Sequence, residues 1–440
     1  MKMKDKNCID SLLNLLDASP TAWHAADNCT TRLAEQGFIA LDEKESWDIR
    51  PGRAYFVMRN SSSICAFIIP NKKPSSIRLA ASHTDSPALK LKPNEEFYKE
   101  NMLMLGLEIY GAPMLNSWVN RDLGIGGRLI YKNAAGKLIE KLVKTDAFPI
   151  VIPQLAIHLD RTVNENGLIL NKQEHLAALA SIRKDHANGK NTNKKKSKEE
   201  TFLDRVFKDV VGNGKVLASE LFVFPLEPAR RFGENQELIS SYRLDNLASV
   251  HAVLEGILDA AKPHDHTIKM AAFWDNEEVG SNTAQGAGSP FIAHVIERIM
   301  ISLKLNREDY LRIIPHSLCA SIDLSHSVHP NYADKHEPRH PVLLNEGIVI
   351  KTNAQQRYAT NAISSAAIVD ICHEHDIPFQ HHIARGDISC GSTVGPVHAT
   401  LMGMQTIDIG IPQLSMHSSR EIIGTADHLS MCRFLKYFFT

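Results

Sequence analysis

The sequence lacks long apolar runs, paired cysteine motifs and a surplus of charge of either sign. No stretch approaches the roughly 20 apolar residues that a membrane-spanning helix needs, and no uninterrupted apolar segment of signal-peptide length follows the basic residues at its start. The 440-residue chain has 49 lysines and arginines against 50 aspartates and glutamates, so its net charge favours neither nucleic acid nor an anionic membrane. We therefore predict a cytoplasmic protein with no nucleic-acid partner and no membrane partner.

Cysteine usage and several missing motifs exclude further classes. The seven cysteines are scattered and none forms a C-x-x-C pair, which favours a reducing compartment. The sequence contains neither a G-x-S-x-G serine motif nor a P-loop. His336 to His340 match the zinc-protease motif H-E-x-x-H, but Pro338 would break the helix on which that motif depends. The functional residues of this chain are therefore expected outside these motifs.

The order of predicted elements indicates two domains. A chain of 440 residues exceeds the size at which one hydrophobic core keeps growing. Helices and strands alternate near both ends of the chain, whereas strands broken by Gly and Pro dominate its middle. We predict an α/β fold, with a three-layer domain around a central mixed sheet from residues 1–94 and 231–440 and an inserted β-rich domain from residues 95–230. Within the insertion we expect a strand over 149–159, a helix over 173–184 and a solvated lysine-rich loop over 188–200.

One apolar run, from Ile268 to Trp274, ends abruptly in the carboxylates Asp275, Glu277 and Glu278. Like charges this close repel, and a cation between them would relieve the repulsion. Neighbouring side chains of an extended chain point to opposite sides, so Glu277 and Glu278 can serve different functions, such as proton transfer and metal binding. A solvated acidic turn at a sheet edge is the alternative interpretation.

Four other segments also place imidazole or carboxylate groups next to apolar runs or at a helix start. They contribute His83 with Asp85, Asp245, Asp323 and His417. Asp85 could orient His83 through the ring nitrogen that does not bind a metal. Each segment also has an ordinary interpretation, such as a polar turn, a helix N-cap or a solvated loop histidine. Taken together, mixed imidazole and carboxylate ligands suit zinc, cobalt or manganese.

Six blocks of sequence, in the same order, resemble the aspartyl aminopeptidase family of two-metal exopeptidases. The blocks are Ser19-Pro20-Thr21, Ser82-His83-Thr84-Asp85-Ser86-Pro87, Arg243-Leu244-Asp245-Asn246-Leu247, Asp275-Asn276-Glu277-Glu278-Val279-Gly280-Ser281, His329-Pro330-Asn331-Tyr332-Ala333-Asp334-Lys335-His336 and Ser415-Met416-His417-Ser418. The resemblance extends from about residue 10 to the C-terminus. It implies a metal-dependent aminopeptidase that hydrolyses the first peptide bond of peptides with a free N-terminus, with a preference for N-terminal aspartate or glutamate.

The resemblance also implies a metal site in the three-layer domain, which would be the catalytic domain. Two divalent metal ions are expected, zinc in the first place, with cobalt or manganese as alternatives. The implied metal ligands are His83, Asp245, Glu278, Asp323 and His417. By the same resemblance Asp245 would bridge the two ions, and His83 and His417 would bind different ions.

The remaining implied roles concern catalysis and substrate contact. Glu277 would be the general base, and Asp85 would support catalysis beside it. His326 and Lys351 would contact the substrate, and His158 would reach from the insertion into a neighbouring subunit's site. The insertion would thus be a dimerisation or lid domain of a homo-oligomer, a dodecamer by resemblance. One departure from the family pattern lies at residues 385–391, where members commonly carry Asn-Asp-Ser-Pro-Cys-Gly.

Alternative functions remain open from the same residues. The two-metal chemistry could act on neutral or apolar N-termini, or the same scaffold could serve an acylase or a carboxypeptidase. A non-catalytic assembly or cargo-binding protein could also retain the fold. The complete ligand set and the presence of Glu277 argue against this last alternative.

Overall fold

The computed structural model describes residues 3–182, 201–212, 214–260 and 266–440, so the lysine-rich segment predicted as a loop at 188–200 lies outside the described residues. The chain forms two compact units. The first unit comprises Met1–Ser86, Ala229–Met416 and Arg420–Thr440, and the second comprises Pro87–Pro228 and His417–Ser419.

Helices and strands account for most of both units. The strands in chain order are β1 (Ile39–Leu41), β2 (Ala54–Arg59), β3 (Ser63–Ile68), β4 (Ser76–His83), β5 (Ala88–Lys99), β6 (Met102–Tyr110), β7 (Leu123–Lys132), β8 (Leu138–Ile150), β9 (Ala178–Ile182), β10 (Lys215–Pro225), β11 (Arg230–Phe232), β12 (Leu238–Ser241), β13 (Thr267–Trp274), β14 (Leu318–Ile322), β15 (Ser325–His326), β16 (Ile348–Thr352), β17 (Phe379–Ile383), β18 (Gln405–Gly410), β19 (Pro412–Leu414) and β20 (Glu421–Gly424). The α-helices are α1 (Met3–Ala18), α2 (Ala22–Glu35), α3 (Val163–Asn166), α4 (Phe202–Val206), α5 (Lys208–Val211), α6 (Leu244–Asp259), α7 (Phe291–Ser302), α8 (Arg307–Ile313), α9 (Ala362–Glu374), α10 (Val394–Met402) and α11 (Thr425–Phe438).

A mixed sheet runs through the first unit. Within the described residues it has nine strands in the order β1-β2-β3-β13-β4-β14-β18-β16-β17. The central strands β13, β4, β14 and β18 are parallel to one another, whereas β3 and β16 pair antiparallel with this central group. All five residues of β14 are buried, as expected of a parallel strand that is covered on both faces. The four parallel strands place their carboxyl ends at one edge of the sheet.

Alternate residues of β13 belong to two different hydrophobic cores. Ala271 and Phe273 pack with residues of α1, α2, α6, α9 and α11, whereas Met270 and Ala272 pack with residues of α7, α8 and α10. Because successive side chains of a strand point to opposite faces, the two cores lie on opposite sides of the sheet. The first unit is therefore a three-layer α/β/α sandwich, and the predicted α/β fold class with a central mixed sheet is confirmed.

The second unit is built on an antiparallel sheet. Its strands follow the order β8-β7-β10-β5-β6-β9, and every neighbouring pair is antiparallel. A further small sheet, β11-β12-β20-β19-β15, belongs to the first unit. Among the described helices, none combines the length and the apolar character needed to cross a membrane.

Two elements predicted within the second unit are wrong. The segment 173–184, expected as a helix, contains strand β9, which pairs antiparallel with β6 so that Ile182 lies opposite Met102. The expected strand at 149–159 ends early, since β8 stops at Ile150 and a turn follows in which Leu159 N–H donates to the carbonyl of Ala156. In the segment 173–184, pairing with the long strand β6 stabilises a strand instead of a helix, because tertiary contacts override local propensity.

Candidate metal centre

The carboxyl ends of three neighbouring parallel strands bring the predicted residues of the first unit together. His83 is the last residue of β4, Glu277 and Glu278 follow β13, and Asp323 follows β14. Asp245 lies in the first turn of α6. Ligand sites form outside the carboxyl ends of parallel strands because side chains from adjacent strands converge there. Sequence positions separated by up to 240 residues (83 to 323) thus meet at one edge of the sheet.

His83 faces a set of carboxylates at distances that suit a shared cation. Its Nε2 lies 3.6 Å from Oδ1 of Asp245, 3.6 Å from Oδ1 of Asp323 and 4.0 Å from Oε2 of Glu277. These separations exceed the length of a good hydrogen bond. Ligands about 2.0–2.1 Å from a tetrahedral zinc ion lie about 3.3 Å apart, so the spacing around His83 is close to that of a metal site.

Two overlapping groups of potential ligands share His83. One group joins it to Asp245 and Asp323, and the other joins it to Glu277 and Glu278. In each group the ligand atoms all lie within 4.8 Å of one another. This donor set contains imidazole and carboxylate but no thiolate, which fits zinc, cobalt or manganese.

Asp85 contacts the second ring nitrogen of His83, Nδ1. Its Oδ1 lies 3.4 Å from Nδ1 of His83, and its backbone carbonyl lies 3.1 Å from the same nitrogen. The backbone N–H groups of Glu277 and Glu278 donate to the two oxygens of the Asp85 carboxylate, each at 3.1 Å. The contact at Nδ1 leaves Nε2 directed at the carboxylates, as in a histidine that binds a metal.

The backbone around Asp245 is held by buried side chains. Its N–H donates to Oε2 of Glu421 at 3.0 Å, and its carbonyl accepts from the hydroxyl of Ser86 at 2.5 Å. The next residue, Asn246, donates from Nδ2 to the carbonyl of Ile322 at 2.9 Å, and the peptide between Asp245 and Asn246 is cis. These contacts tie the start of α6 to the end of β14, so the carboxylate of Asp245 keeps a fixed position.

Burial and neighbouring charges perturb the titration of this site. Burial would lower the pKa of His83, but the carboxylates of Asp323 and Asp85 outweigh it and raise this pKa well above its usual value. Burial, opposed by His83 and reinforced by Asp323, raises the pKa of Glu277 to about 8. A carboxyl group with a raised pKa is a stronger base than an exposed glutamate, as proton transfer near neutral pH requires.

Lys351, predicted as a substrate contact, is buried at the same strand edge. Only 2% of its side chain is exposed, and its Nζ lies 3.5 Å from Oδ2 of Asp323. The same Nζ donates a 2.6 Å hydrogen bond to the carbonyl of Leu324. Burial would raise the pKa of Asp323, but Lys351 and then His83 hold it well below its usual value. Lys351 therefore neutralises one carboxylate of the site itself.

His382 lies beside Lys351, and two further histidines, His326 and His336, lie close enough to His382 to act on its charge. His382 lies opposite Lys351 in the parallel pairing of β16 with β17. Burial, and then the charges of Lys351, His326 and His336, lower the pKa of His382 to about 3. His326 was predicted as a substrate contact. His382 was missed because the pairing of β16 with β17 had no signal in the sequence, and the position of His336 near His382 had none either. Within 336–340 the chain forms no helix, so the H-E-x-x-H match has no structural basis.

The two remaining predicted residues belong to the second unit. His417 follows Met416 directly but is grouped with the second unit, where its Nδ1 lies 3.2 Å from the carbonyl of Ala112. His158 lies in an exposed turn. The apolar residues around it are also exposed, with Leu155 at 58% and Leu159 at 74%.

Comparisons with known proteins identify the family of this chain. A family model described as Aminopeptidase I zinc metalloprotease (M18) matches residues 15–439. A probable aspartyl aminopeptidase of Ricinus communis is 37% identical over 98% of this chain and 95% of its own length. A probable M18 family aminopeptidase 2 of Pseudomonas aeruginosa (strain UCBPP-PA14) is 39% identical over 97% of both chains.

A solved structure shows that the similarity includes the three-dimensional fold. A chain in the cryo-EM structure of the Ape4 and Nbr1 complex superposes with a TM-score of 0.92 and 33% identity, over 99% of this chain and 86% of that chain. The sequence blocks at the strand ends, the convergence of His83 with the carboxylates and the match over almost the whole chain support one conclusion. The chain belongs to the M18 family of zinc metalloproteases and is a metallo-aminopeptidase.

Proposed function

We propose that this M18 aminopeptidase removes aspartate or glutamate from the N-termini of peptides and uses two divalent metal ions. The proposed ligands are His83, Asp245, Glu278, Asp323 and His417. The observation that carries the proposal is the convergence of Asp245, Asp323 and Glu278 around His83, and the five proposed ligands exceed the four positions of one tetrahedral zinc ion. Zinc is the proposed metal, and cobalt or manganese would suit the same donors.

The residues of the site divide the chemistry of peptide hydrolysis among them. When bound, the metal ions supply Lewis acidity, which polarises the peptide carbonyl and lowers the pKa of water. Glu277 accepts the proton of the attacking water and returns it to the leaving amine, a contribution of roughly 100- to 10,000-fold. Asp85 keeps the His83 ring oriented, and its carboxylate accepts one hydrogen bond from the backbone of Glu277, which fixes the base beside the metal ligands. The surplus of carboxylates also suits the positive charge of a free N-terminal amine, which limits cleavage to the first residue.

The preference for acidic residues rests on the basic groups beside these carboxylates. His382 lies opposite Lys351 in the pairing of β16 with β17, and the charges of Lys351, His326 and His336 act on His382. A negative side chain of the substrate would be attracted by the positive charge of Lys351. The name of the Ricinus communis relative, a probable aspartyl aminopeptidase, points to the same preference.

The active form is proposed to be a cytoplasmic homo-oligomer, joined through the inserted domain at residues 95–230. The exposed turn around His158 supports this assembly, because Leu155, Ile157 and Leu159 are 58%, 45% and 74% exposed. Apolar side chains gathered at one exposed turn are typical of a surface that another chain covers. His158 would then contact the substrate bound by a neighbouring subunit.

The test compares the initial rates of hydrolysis of aspartyl, glutamyl, leucyl and N-acetyl-aspartyl anilides. Each rate is measured before chelation, after chelation and after zinc, cobalt or manganese is restored. Metal-dependent turnover restricted to the aspartyl and glutamyl compounds with a free amine is the expected result. Faster turnover of the leucyl compound would refute the acidic preference, cleavage of the acetylated compound would indicate an acylase, and no turnover with metals bound would contradict the enzymatic function.

A further inference from the structure

Four potential metal ligands outside the catalytic site meet where three helices pack together. Cys8 lies on α1, His251 on α6, and His428 and Cys432 on α11. Their ligand atoms all lie within 4.8 Å of one another. All four residues belong to the first unit, and none belongs to the ligand groups around His83. The two cysteines are 424 positions apart in the chain, so folding alone brings this group together.

The distances within this group match those of a tetrahedral zinc site. Zn–S bonds of about 2.3 Å and Zn–N bonds of about 2.0–2.1 Å place two sulfurs about 3.8 Å apart and a sulfur and a nitrogen about 3.5 Å apart. Sγ of Cys8 lies 3.7 Å from Sγ of Cys432, and Sγ of Cys432 lies 3.5 Å from Nε2 of His428. Nδ1 of His251 lies 3.0 Å from Nε2 of His428, somewhat shorter than the roughly 3.3 Å between two zinc-bound nitrogens.

The helices hold the four side chains in these positions. His428 and Cys432 are separated by one turn of α11, so both project from the same face of the helix. His251 is fully buried, and its other nitrogen, Nε2, lies 3.0 Å from Oγ of Ser11 and 3.4 Å from Oε1 of Glu255. A partner at the far nitrogen fixes a histidine ring with its metal-binding nitrogen directed at the site.

The hydrogen bond between Cys8 and Cys432 shifts the two thiols in opposite directions, since it helps to raise the pKa of Cys432 well above its usual value. The hydrogen bond with Cys432 is the main cause that lowers the pKa of the Cys8 thiol to about 5, despite its partial burial. Burial, together with the nearby His428 and Arg32, holds the pKa of His251 well below its usual value. Cysteine and histidine bind zinc as thiolate and neutral imidazole, so metal binding at this group would release the proton of Cys432.

We propose that Cys8, His251, His428 and Cys432 form a structural zinc site of the Cys2His2 type, separate from the catalytic metal centre. Binding releases the thiol protons and places two thiolates and two neutral imidazoles around one Zn²⁺, so the complex has no net charge. The ion joins α1, near the N-terminus, to α6 and to the C-terminal helix α11. A set of four protein ligands leaves no position for a substrate, as in other structural zinc sites. This inference does not depend on the proposed substrate preference.

A disulfide between Cys8 and Cys432 is the competing use of the two sulfurs. Both cysteines are free thiols in the structure, and a disulfide would bring sulfurs now 3.7 Å apart to about 2.05 Å. Such a bond would give no role to His251 and His428, whose nitrogens point into the same group. The arrangement of all four residues therefore favours the metal ion.

Cobalt substitution tests the proposal directly, because only thiolate ligands produce a sulfur-to-cobalt charge-transfer band in the near ultraviolet. The proposed catalytic ligands are nitrogen and oxygen donors, so this band reports on Cys8 and Cys432 alone. The full chain is stripped of metal and reloaded with Co²⁺, and its spectrum is compared with those of Cys432→Ser and Cys8→Ser. We expect the band in the unmodified protein and its loss or strong reduction in both variants. In zinc-loaded protein, elemental analysis is expected to find one fewer ion per chain in Cys432→Ser.

Cys29→Ser is the matched control, since Cys29 is a buried cysteine on α2 outside the four-residue group. It is expected to keep both the cobalt band and the full zinc content. The absence of the band in the unmodified protein would overturn the proposal even if a variant failed to fold. Equal zinc content in Cys432→Ser and the unmodified protein, or a mass showing that Cys8 and Cys432 are joined by a disulfide, would also overturn it.

Discussion

The backbone N–H of Glu277 donates a 3.1 Å hydrogen bond to Oδ1 of Asp85. The same carboxylate oxygen lies 3.4 Å from Nδ1 of His83. One carboxylate thus connects the turn that carries the proposed base to the imidazole proposed to bind the metal. The position of the base and the orientation of the metal ligand therefore depend on the same side chain.

Replacing Asp85 tests this connection. In Asp85→Asn the side-chain amide cannot accept a hydrogen bond at its nitrogen, so one of the two bonds from Glu277 and Glu278 is lost. We expect the zinc affinity of the catalytic site to fall by about 10- to 100-fold, as measured by competition with a chromophoric chelator. Asp48→Asn changes an exposed carboxylate and should leave the affinity unchanged. An unaltered affinity in Asp85→Asn would show that Asp85 does not support His83.

Replacing Lys351 distinguishes a contact with Asp323 alone from an additional contact with the substrate. If its ammonium only neutralises Asp323, then Lys351→Met lowers kcat/KM for aspartyl and leucyl substrates by the same factor. If it also meets the acidic side chain of the substrate, the aspartyl substrate loses more. We expect the ratio of the two kcat/KM values to fall by about 10- to 100-fold, which corresponds to one charge-assisted hydrogen bond of about 1.5–3 kcal/mol.

The exposed Lys335 supplies the control for this experiment. Lys335→Met is expected to leave both kcat/KM values unchanged. If both kcat/KM values fall in Lys351→Met but their ratio stays the same, Lys351 does not contact the substrate. The neighbouring histidines would then be responsible for the preference for acidic substrates.

Asp427 is expected to make the stability of the protein depend on pH. Its carboxylate accepts hydrogen bonds from the N–H groups of Asn345 and Gly347 at 2.6 and 2.8 Å, yet burial raises its pKa from 3.8 to about 7. Because the folded-state pKa is the higher one, its contribution to stability is complete below about pH 4 and is lost as the pH rises through about 7.

Asp427→Asn removes this titration but also weakens one of the two backbone hydrogen bonds. The variant should be less stable than the unmodified protein at pH 5, and the difference in melting temperature should shrink or reverse at pH 8. Melting curves of both proteins at the two pH values provide the measurement. A difference that does not change with pH would contradict the raised pKa of Asp427.

Leu159, in the exposed turn around His158, is predicted to be required for assembly of the oligomer. In Leu159→Asp a charge replaces a side chain that is 74% exposed, and burying that charge in an interface between subunits would be unfavourable. We expect the oligomer to dissociate and the activity to fall, as followed by analytical ultracentrifugation and by rates on the aspartyl anilide. Ile301→Asp, at an exposed position on α7, should leave both unchanged. A monomeric Leu159→Asp with full activity would contradict the role of His158.

The sequence indicated the part of the site that lies at strand ends. Glu277, Glu278 and Asp323 each follow an apolar run, and His83 ends one, so the periodicity of the strands was enough to place them at one edge of a parallel sheet. The buried state of Lys351 was not predictable, because it depends on the pairing of β16 with β17 and on Asp323. Which side chains lie next to each other on neighbouring strands is decided by the tertiary structure, and the local sequence does not show it.

The group at Cys8 shows the same limit more clearly. The cysteines read as scattered thiols in the sequence, and the spacing of His428 and Cys432 by one helical turn was the one local signal of a shared site. Cys8 and His251 could not be added without the packing of α1 and α6 against α11. Within the second unit, the propensity of residues 173–184 for a helix was overridden by the pairing of β9 with β6.

The central claim, that Glu277 transfers the proton in a metal-dependent hydrolysis, is tested most directly by Glu277→Gln. The amide is nearly isosteric with the carboxylate but cannot accept the proton. With metal content equal to that of the unmodified protein, we expect kcat for the aspartyl anilide to fall by roughly 100- to 10,000-fold, while Glu374→Gln, at an exposed carboxylate of α9, keeps full activity. Full turnover by Glu277→Gln with its metals bound would contradict this assignment.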